Sequence, residues 1–179
     1  MASSGDSSNK SAKEKLKFII DCDCGVDDAV SILMMLQAKE ICSEIDLLAI
    51  TCIGGNCPVD VAVQNVLRTL KVSQQSVPVY RGCSKPLTVG SSLRASIHSN
   101  DGLGGVAHNF EPCPNSFQPD HAVTKLIQIV NEHPGEITMV TLGPLTNLAM
   151  AYRLDESFSS KLKKLVVMGG NTGVSNFCV

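Results

Sequence analysis

Four aspartates lie close together near the start of the chain, at positions 21, 23, 27 and 28. Carboxylates crowded in this way repel one another unless a cation or strong hydrogen-bond donors compensate their charge. A hard divalent ion, which prefers oxygen ligands, is the simplest compensation. The segment therefore indicates a site for a divalent cation.

The residues around this acidic segment predict that it joins a strand to a helix. An apolar run from Leu16 to Ile20 leads into the first aspartate, and Gly25 can turn the chain. Apolar residues then recur at helical spacing between Ala29 and Lys39. The aspartates thus follow the end of a buried strand, which is where open α/β sheets bind their ligands.

The rest of the chain alternates in the same way, which predicts an α/β fold with an open, mostly parallel sheet flanked by helices. We expect strands at 17–20, 45–53, 77–80, 137–142 and 165–168, and helices at 29–39, 59–70, 121–131 and 148–152. Because the loops after parallel strands share one edge of the sheet, the polar residues at 55–56, 143–147 and 169–171 should converge on the aspartates.

Bulk properties favour a globular protein without a nucleic-acid or membrane partner. The chain has 179 residues, 44% of them hydrophobic, and a net charge of −2 with no basic cluster. No run is long enough to span a bilayer, and residues 1–15 lack the apolar stretch of a secretory signal. We expect a disordered tail at 1–15, one α/β domain at 16–179, free thiols at the eight cysteines, and a cytoplasmic location.

Five segments carry a more specific pattern. Residues 21–29 read Asp-Cys-Asp-Cys-Gly-Val-Asp-Asp-Ala; Gly-Asn follows at 55–56, His-Ser-Asn-Asp-Gly-Leu-Gly at 98–104, Leu-Gly-Pro-Leu-Thr-Asn-Leu-Ala at 142–149, and Val-Met-Gly-Gly at 167–170. In this order they resemble the motifs of the inosine-uridine preferring nucleoside hydrolase family, over residues from about 17 to 176.

The resemblance implies hydrolysis of the N-glycosidic bond of ribonucleosides to free base and ribose, with Ca²⁺ as the cofactor. It implies that Asp23, Asp28 and the backbone carbonyl of Leu142 bind calcium, and that Asp23 is the general base for a calcium-bound water. Contacts to the ribonucleoside substrate are implied for Asp27, Asn56, His98, Met168 and Asn176. Family members form dimers and tetramers, so we also expect a homo-oligomer.

The sequence departs from the family pattern in two places. Cys24 replaces the family's proline, which we expect to loosen the turn slightly without removing a ligand. The sequence given ends at Val179, before the family's Glu-Phe-Asn motif, its distal aspartate ligand and its downstream histidine. We therefore expect a core that is incomplete at the C-terminus, and weak or absent hydrolysis by the isolated chain.

Alternative interpretations remain for several of these residues. A phosphatase of the haloacid dehalogenase type would use Asp21 as nucleophile, Asp23 as acid/base and magnesium, although it expects a Thr- or Ser-bearing loop where Asp27 and Asp28 stand. A non-catalytic nucleoside- or metal-binding module, or a subunit partner, is a third possibility. His98 is equally consistent with an ordinary polar loop residue, and we expect residues 146–147 to cap a helix rather than to take part in catalysis.

Overall fold

The computed structural model describes residues 15–87, 96–113 and 116–169. Its centre is a five-stranded sheet in the order β3-β2-β1-β4-β5, in which every neighbouring pair is parallel. The strands are β1 (Leu16–Cys22), β2 (Ile45–Cys52), β3 (Val79–Arg81), β4 (Ile137–Thr141) and β5 (Lys164–Val167). The predicted open parallel sheet is confirmed.

The strand order reverses next to β1. The chain builds outward from β1 to β3 on one side, then returns to place β4 on the other side of β1. Loops that leave neighbouring strands in opposite directions open a crevice at their carboxyl ends, and open α/β sheets bind ligands in this crevice. The loop after β1 carries the four aspartates, so the fold places them at the crevice.

Helices cover both faces of the sheet. On one face lie α1 (Val26–Ile41) and α2 (Val59–Val72), which bury Ile32, Leu36, Val63 and Val66 against Ile20 and Ile50. On the other lie α3 (Ala122–Glu132) and α4 (Thr146–Leu154), which bury Leu126, Val130, Leu148 and Ala151 against Ile19 and Met139. Adjacent strand residues point to opposite faces, so Ile19 and Ile20 belong to different cores.

Helix α1 begins at Val26, earlier than the predicted start at residue 29. Asp27 and Asp28 therefore lie in its first turn, where the positive end of the helix dipole favours carboxylates. Gly25 is the residue that precedes the helix, and its backbone N–H donates to Asp28 Oδ2 at 3.1 Å. The acidic segment is thus half loop and half helix.

Within its described residues, the long connection between β3 and α3 contains two short 3₁₀ turns, Ser96–His98 and Ala107–Asn109. The tail expected at residues 1–15 lies outside the described residues except for Lys15. None of the helices in the described ranges is both long and apolar enough to cross a membrane. The cysteines in those ranges (22, 24, 42, 52, 57, 83 and 113) form no disulfide bonds with one another.

Candidate active site

Asp23 is held between the loops that follow β2 and β4. Its side chain is 5% exposed; Oδ2 accepts the backbone N–H of Asn56 at 2.6 Å, and Oδ1 accepts the Asn56 side-chain amide at 3.2 Å. A Cβ on Gly55 would lie 2.8 Å from Asp23 Cγ, and one on Gly143 would lie 3.1 Å from the same atom. Both glycines are needed because a side chain at either position would displace the carboxylate.

Asp28 lies beside Asp23 and is also buried, at 1% exposed. Burial is the main reason that the pKa of Asp28 rises to about 9, and the neighbouring Cys22 and a hydrogen bond to Asp23 raise it further. A proton shared between the two carboxyls relieves their repulsion. A cation at the same position would relieve it equally, since it would favour the ionised form of both groups.

The loop after β4 approaches these carboxyls through its backbone. Leu142 donates its N–H to Asp21 O at 2.8 Å, which continues the β1–β4 pairing beyond the end of the strand. A Cβ on Gly143 would lie 2.9 Å from the backbone nitrogen of Asp23. Leu142, expected to offer its carbonyl to calcium, therefore belongs to a backbone segment in contact with the acidic loop.

Three of the residues expected to contact substrate surround Gly25. His98 Nε2 is 3.4 Å from Asp27 Oδ1, and His98 Nδ1 accepts the backbone N–H of Val26 at 3.4 Å. A Cβ on Gly25 would lie 2.8 Å from Asn56 Nδ2, 2.9 Å from Asp27 Oδ1 and 2.9 Å from the His98 ring. Asp27 is half exposed, with 56% of its side-chain surface accessible, so this group faces the crevice.

The two remaining expected contacts stand apart from this group. Met168 follows β5, where its N–H donates to Thr141 O at 2.9 Å and 55% of the residue is exposed. It lies at the same edge of the sheet as Asp23, but β4 separates β5 from β1, the strand that precedes Asp23. Asn176 lies outside the described residues.

Asn147 has a role that the sequence did not predict. The expected capping is wrong: α4 begins at Thr146, and its N-cap residue, Leu145, makes no side-chain capping bond. Asn147 is instead fully buried. It donates to Asp21 Oδ1 at 2.8 Å and to Cys52 O at 3.1 Å, and it accepts the N–H of Cys83 at 2.9 Å. It thereby joins the ends of β1 and β2 and the loop after β3.

Asp21 is in the wrong environment for a phosphatase nucleophile. It is fully buried, and its Oδ1 accepts hydrogen bonds from Thr51 and Asn147. Burial raises the pKa of Asp21 to about 7, and Oδ2 has no partner among the described residues. A nucleophile must reach its substrate, so the phosphatase alternative is not supported and Asp21 is a structural carboxyl beneath the site.

Cys24 differs more from the family's proline than expected. Its backbone φ is 44°, in the left-handed region, whereas a proline ring holds φ near −65°. The replacement therefore accompanies a different backbone conformation in the turn, rather than only a looser one. Cys24 is fully buried, so its side chain packs in the core while its backbone shapes the loop between Asp23 and Gly25.

The donors near Asp23 suit a hard cation, although they are few. No group of three or more His, Cys, Asp or Glu side chains within residues 15–87, 96–113 and 116–169 is arranged to hold a metal ion. The two buried carboxyls of Asp23 and Asp28 nevertheless offer oxygen donors, which is the chemistry that calcium prefers, and the backbone at Gly143 adjoins Asp23. The acidic pair therefore fits calcium in the kind of donor, with part of the coordination shell left to water or to other groups.

Known proteins are similar to this chain in sequence. The family description "Inosine-uridine preferring nucleoside hydrolase" matches residues 18–178. The pyrimidine-specific ribonucleoside hydrolase RihB of Escherichia coli strain SE11 is 37% identical over 164 residues, covering 92% of this chain and 50% of that protein.

Two solved structures are similar as well. The plant nucleoside hydrolase PpNRh1 superposes with a TM-score of 0.76 at 37% identity, covering 87% of this chain and 48% of that one. The purine-preferring ribonucleoside hydrolase from Gardnerella vaginalis superposes with a TM-score of 0.75 at 30% identity, covering 88% and 50%. This chain thus spans about half the length of these relatives. The chain belongs to the inosine-uridine preferring nucleoside hydrolase family.

Proposed function

We propose that this chain binds ribonucleosides and hydrolyses their N-glycosidic bond to free base and ribose. The observation that carries the proposal is the contact between two buried carboxyls, Asp23 and Asp28, at the crevice beside β1. Family membership and the names of the relatives, which act on purine or pyrimidine ribonucleosides, agree with it.

Asp23 is the proposed general base. The transition state of glycoside cleavage resembles an oxocarbenium ion, and a carboxylate nearby stabilises its positive charge. The two hydrogen bonds from Asn56 fix both carboxylate oxygens of Asp23. A base held in this way can take the proton from an attacking water within hydrogen-bond reach.

Asp27, Asn56 and His98 are the proposed ribose and base-side contacts. They converge around Gly25, next to Asp23, and the exposed Asp27 carboxylate can accept hydrogen bonds from sugar hydroxyls. Met168, exposed at the same edge of the sheet, and Asn176 are proposed to line the sugar pocket.

Calcium is the proposed cofactor, held by Asp23, Asp28 and the Leu142 carbonyl. When bound, it would supply positive charge that acidifies a water and holds the ribose hydroxyls. Calcium takes six to eight oxygen ligands, which is more than these three residues provide. We therefore propose that this chain alone binds calcium weakly and hydrolyses ribonucleosides slowly. In the extreme case it would bind the nucleoside and calcium without hydrolysing the nucleoside.

The test is the release of base and ribose from inosine and uridine by the full chain with calcium. Asp23→Asn should lower the rate by on the order of a hundredfold or more, because it removes the base. Asp46→Asn is the matched control, since Asp46 lies near the start of β2, at the opposite edge of the sheet. If wild-type turnover is undetectable, calorimetry with uridine and calcium should still show binding that Asp23→Asn abolishes. Equal binding or turnover by both variants would contradict the proposal.

Homo-oligomerisation and a cytoplasmic location are also proposed. Strand β5 is at the edge of the sheet, and Leu165, Val166 and Val167 are each 39–44% exposed, which leaves apolar surface for another subunit to cover. The lack of disulfide bonds among the cysteines of the described ranges supports a reducing compartment. Light scattering of the purified chain tests the first proposal, and cell fractionation tests the second.

A further inference from the structure

Asn65 is a buried amide in the middle of α2, and both hydrogen bonds that its Nδ2 donates leave the helix. It is fully buried among apolar residues such as Val66 and Ala62. A buried amide is costly unless its polar atoms are satisfied. Its Nδ2 donates to Asp101 O at 2.8 Å and to Cys24 O at 3.3 Å, and its Oδ1 accepts from Arg68 Nη1 at 3.1 Å.

These two carbonyls belong to different loops. Cys24 lies in the acidic loop after β1, and Asp101 lies in the loop that carries His98. We call the pair of hydrogen bonds the Asn65 bridge. The loops are packed tightly across it: a Cβ on Gly102 would lie 2.8 Å from Asn65 Nδ2, 3.1 Å from Cys24 O and 3.1 Å from Cys57 Sγ.

The Asn65 bridge contacts backbone segments that have positive φ angles. Cys24 has a φ of 44°, which is costly for a residue with a Cβ, and its carbonyl is one of the two acceptors of Asn65. Gly102, across the bridge, has a φ of 73°. Without the amide, both loops lose the donor that holds their carbonyls in these orientations.

On the His98 side, Asp101 makes the loop rigid. Its carboxylate accepts the backbone N–H groups of Leu103 and Gly105, at 3.0 and 2.8 Å, and of Ala107 at 2.9 Å. The N–H of Gly104 donates to the backbone oxygen of His98 at 2.9 Å. The loop from 98 to 107 is therefore one hydrogen-bonded unit, and Asn65 fixes that unit to the acidic loop.

The consequence is a defined orientation of the His98 ring. Val26 N–H donates to Nδ1, so the ring proton of neutral His98 is on Nε2, which faces Asp27 at 3.4 Å. We propose that Asn65 is a positioning residue for nucleoside binding: by joining the two loops, it sets the His98–Asp27 pair against the substrate. The role in binding rests on the proposed function, whereas the bridge itself does not.

The first measurement follows the His98 ring in the ¹⁵N-labelled chain of 179 residues without ligand. Long-range ¹H–¹⁵N spectra distinguish the two neutral tautomers. Asn65→Leu, which has similar size but no donor, should convert His98 from the Nε2–H tautomer to a mixture. Asp101→Asn should shift the same signals, and it serves as the second variant if Asn65→Leu does not fold, since Asp101 is not deeply buried.

Gln64→Leu is the matched control. Gln64 is the neighbouring amide on α2; its side chain donates to Cys113 O at 3.2 Å and accepts Cys113 N–H at 2.9 Å, away from the acidic loop. The Gln64→Leu variant loses two hydrogen bonds between α2 and a loop, a number comparable to the two lost in Asn65→Leu. A purely structural role for Asn65 predicts that both leucine variants lower the melting temperature and that neither changes the His98 signals.

The second measurement is uridine affinity in the presence of calcium. Asn65→Leu should weaken it by on the order of tenfold, as expected for a lost hydrogen bond of average strength. In a His98→Ala background the same change should have little further effect, because Asn65 acts through His98. If the wild-type protein binds no uridine, the proposed function is wrong. The NMR signals of the His98 ring still test whether the Asn65 bridge orients His98. Unchanged His98 signals in folded Asn65→Leu and Asp101→Asn would overturn the proposal.

Discussion

Gly55 gives the sharpest single perturbation of the acidic site. A Cβ at this position would lie 2.8 Å from Cγ and 2.9 Å from Cβ of Asp23, and closer still to Oδ2. Carbon atoms in contact stay about 3.5–4.0 Å apart, so Gly55→Ala must move the Asp23 side chain by roughly 1 Å. That movement also breaks its hydrogen bonds with Asn56.

Two effects of Gly55→Ala can be estimated. Losing hydrogen bonds to a carboxylate costs about 1.5–3 kcal/mol each, so the free energy of unfolding should fall by a few kcal/mol. A misplacement of about 1 Å in a reacting group can lower a rate by about a hundredfold. We therefore expect the rise in melting temperature on adding calcium to disappear, together with uridine binding and any hydrolysis.

The control for this experiment is Gly135→Ala. Gly135 has a φ of 77°, a Cβ added to it would have no atom within 4 Å, and it lies before β4, at the opposite edge of the sheet. The variant should lose about 1–2 kcal/mol through backbone strain alone and keep its response to calcium. If Gly55→Ala keeps the wild-type calcium response, Asp23 is not part of a cation site and the reasoning fails.

Three further predictions test the surroundings of the site. Asn147→Leu should lower the free energy of unfolding by about 3 kcal/mol in chemical denaturation, because it removes one of the two donors to the buried Asp21 carboxyl and leaves the Cys83 N–H and the Cys52 carbonyl without their Asn147 partner. The expected loss for a helix cap is only about 1 kcal/mol. Cys24→Pro should lower the free energy of unfolding by about 3 kcal/mol, because a proline ring cannot adopt the φ of 44° seen at this position. Cys24→Gly should be tolerated, since glycine adopts this φ without strain. A proline variant with wild-type stability would contradict the turn conformation. The pKa values of Asp21 and Asp28, raised from 3.8 to about 7 and about 9, mean that each of these carboxyls keeps its proton in the native state at pH values where it is ionised in the unfolded state. Without metal, the stability that these two carboxyls contribute should therefore fall as pH rises, from about pH 4 to 7 for Asp21 and from about pH 4 to 9 for Asp28, by up to about 1.4 kcal/mol per pH unit each. The melting-temperature increase on adding calcium should be larger at pH 8 than at pH 5. An increase independent of pH would refute the protonated Asp28.

The sheet could be predicted because its signals are local and repeated. A nearly continuous apolar run predicts β2, because a parallel strand is buried on both faces. Apolar residues at helical spacing predict α2 and α3. The boundaries of the short edge strands differ from the prediction: β3 and β5 are each displaced by one or two residues from their predicted positions. Edge strands carry less of the apolar pattern because they are covered less completely.

The buried amides could not be predicted, because their partners are distant in sequence. Asn147 follows Thr146 at the start of a helix, which is a capping pattern, yet its partners Asp21 and Cys52 lie 126 and 95 residues away. Asn65 is one of several polar residues in an amphipathic helix, and nothing local distinguishes it from an exposed one. Only the packing of the loops after β1, β2 and β3 shows that these amides hold the site together.

The most direct test of the account is a crystal structure of the chain grown with calcium and ribose, with the ion located by anomalous scattering. We predict one calcium peak at about 2.3–2.6 Å from oxygens of Asp23, Asp28 and the Leu142 carbonyl, with ribose hydroxyls beside Asp27. A calcium ion bound elsewhere, or Asp23 and Asp28 still hydrogen-bonded to each other with no ion between them at saturating calcium, would contradict the proposed site.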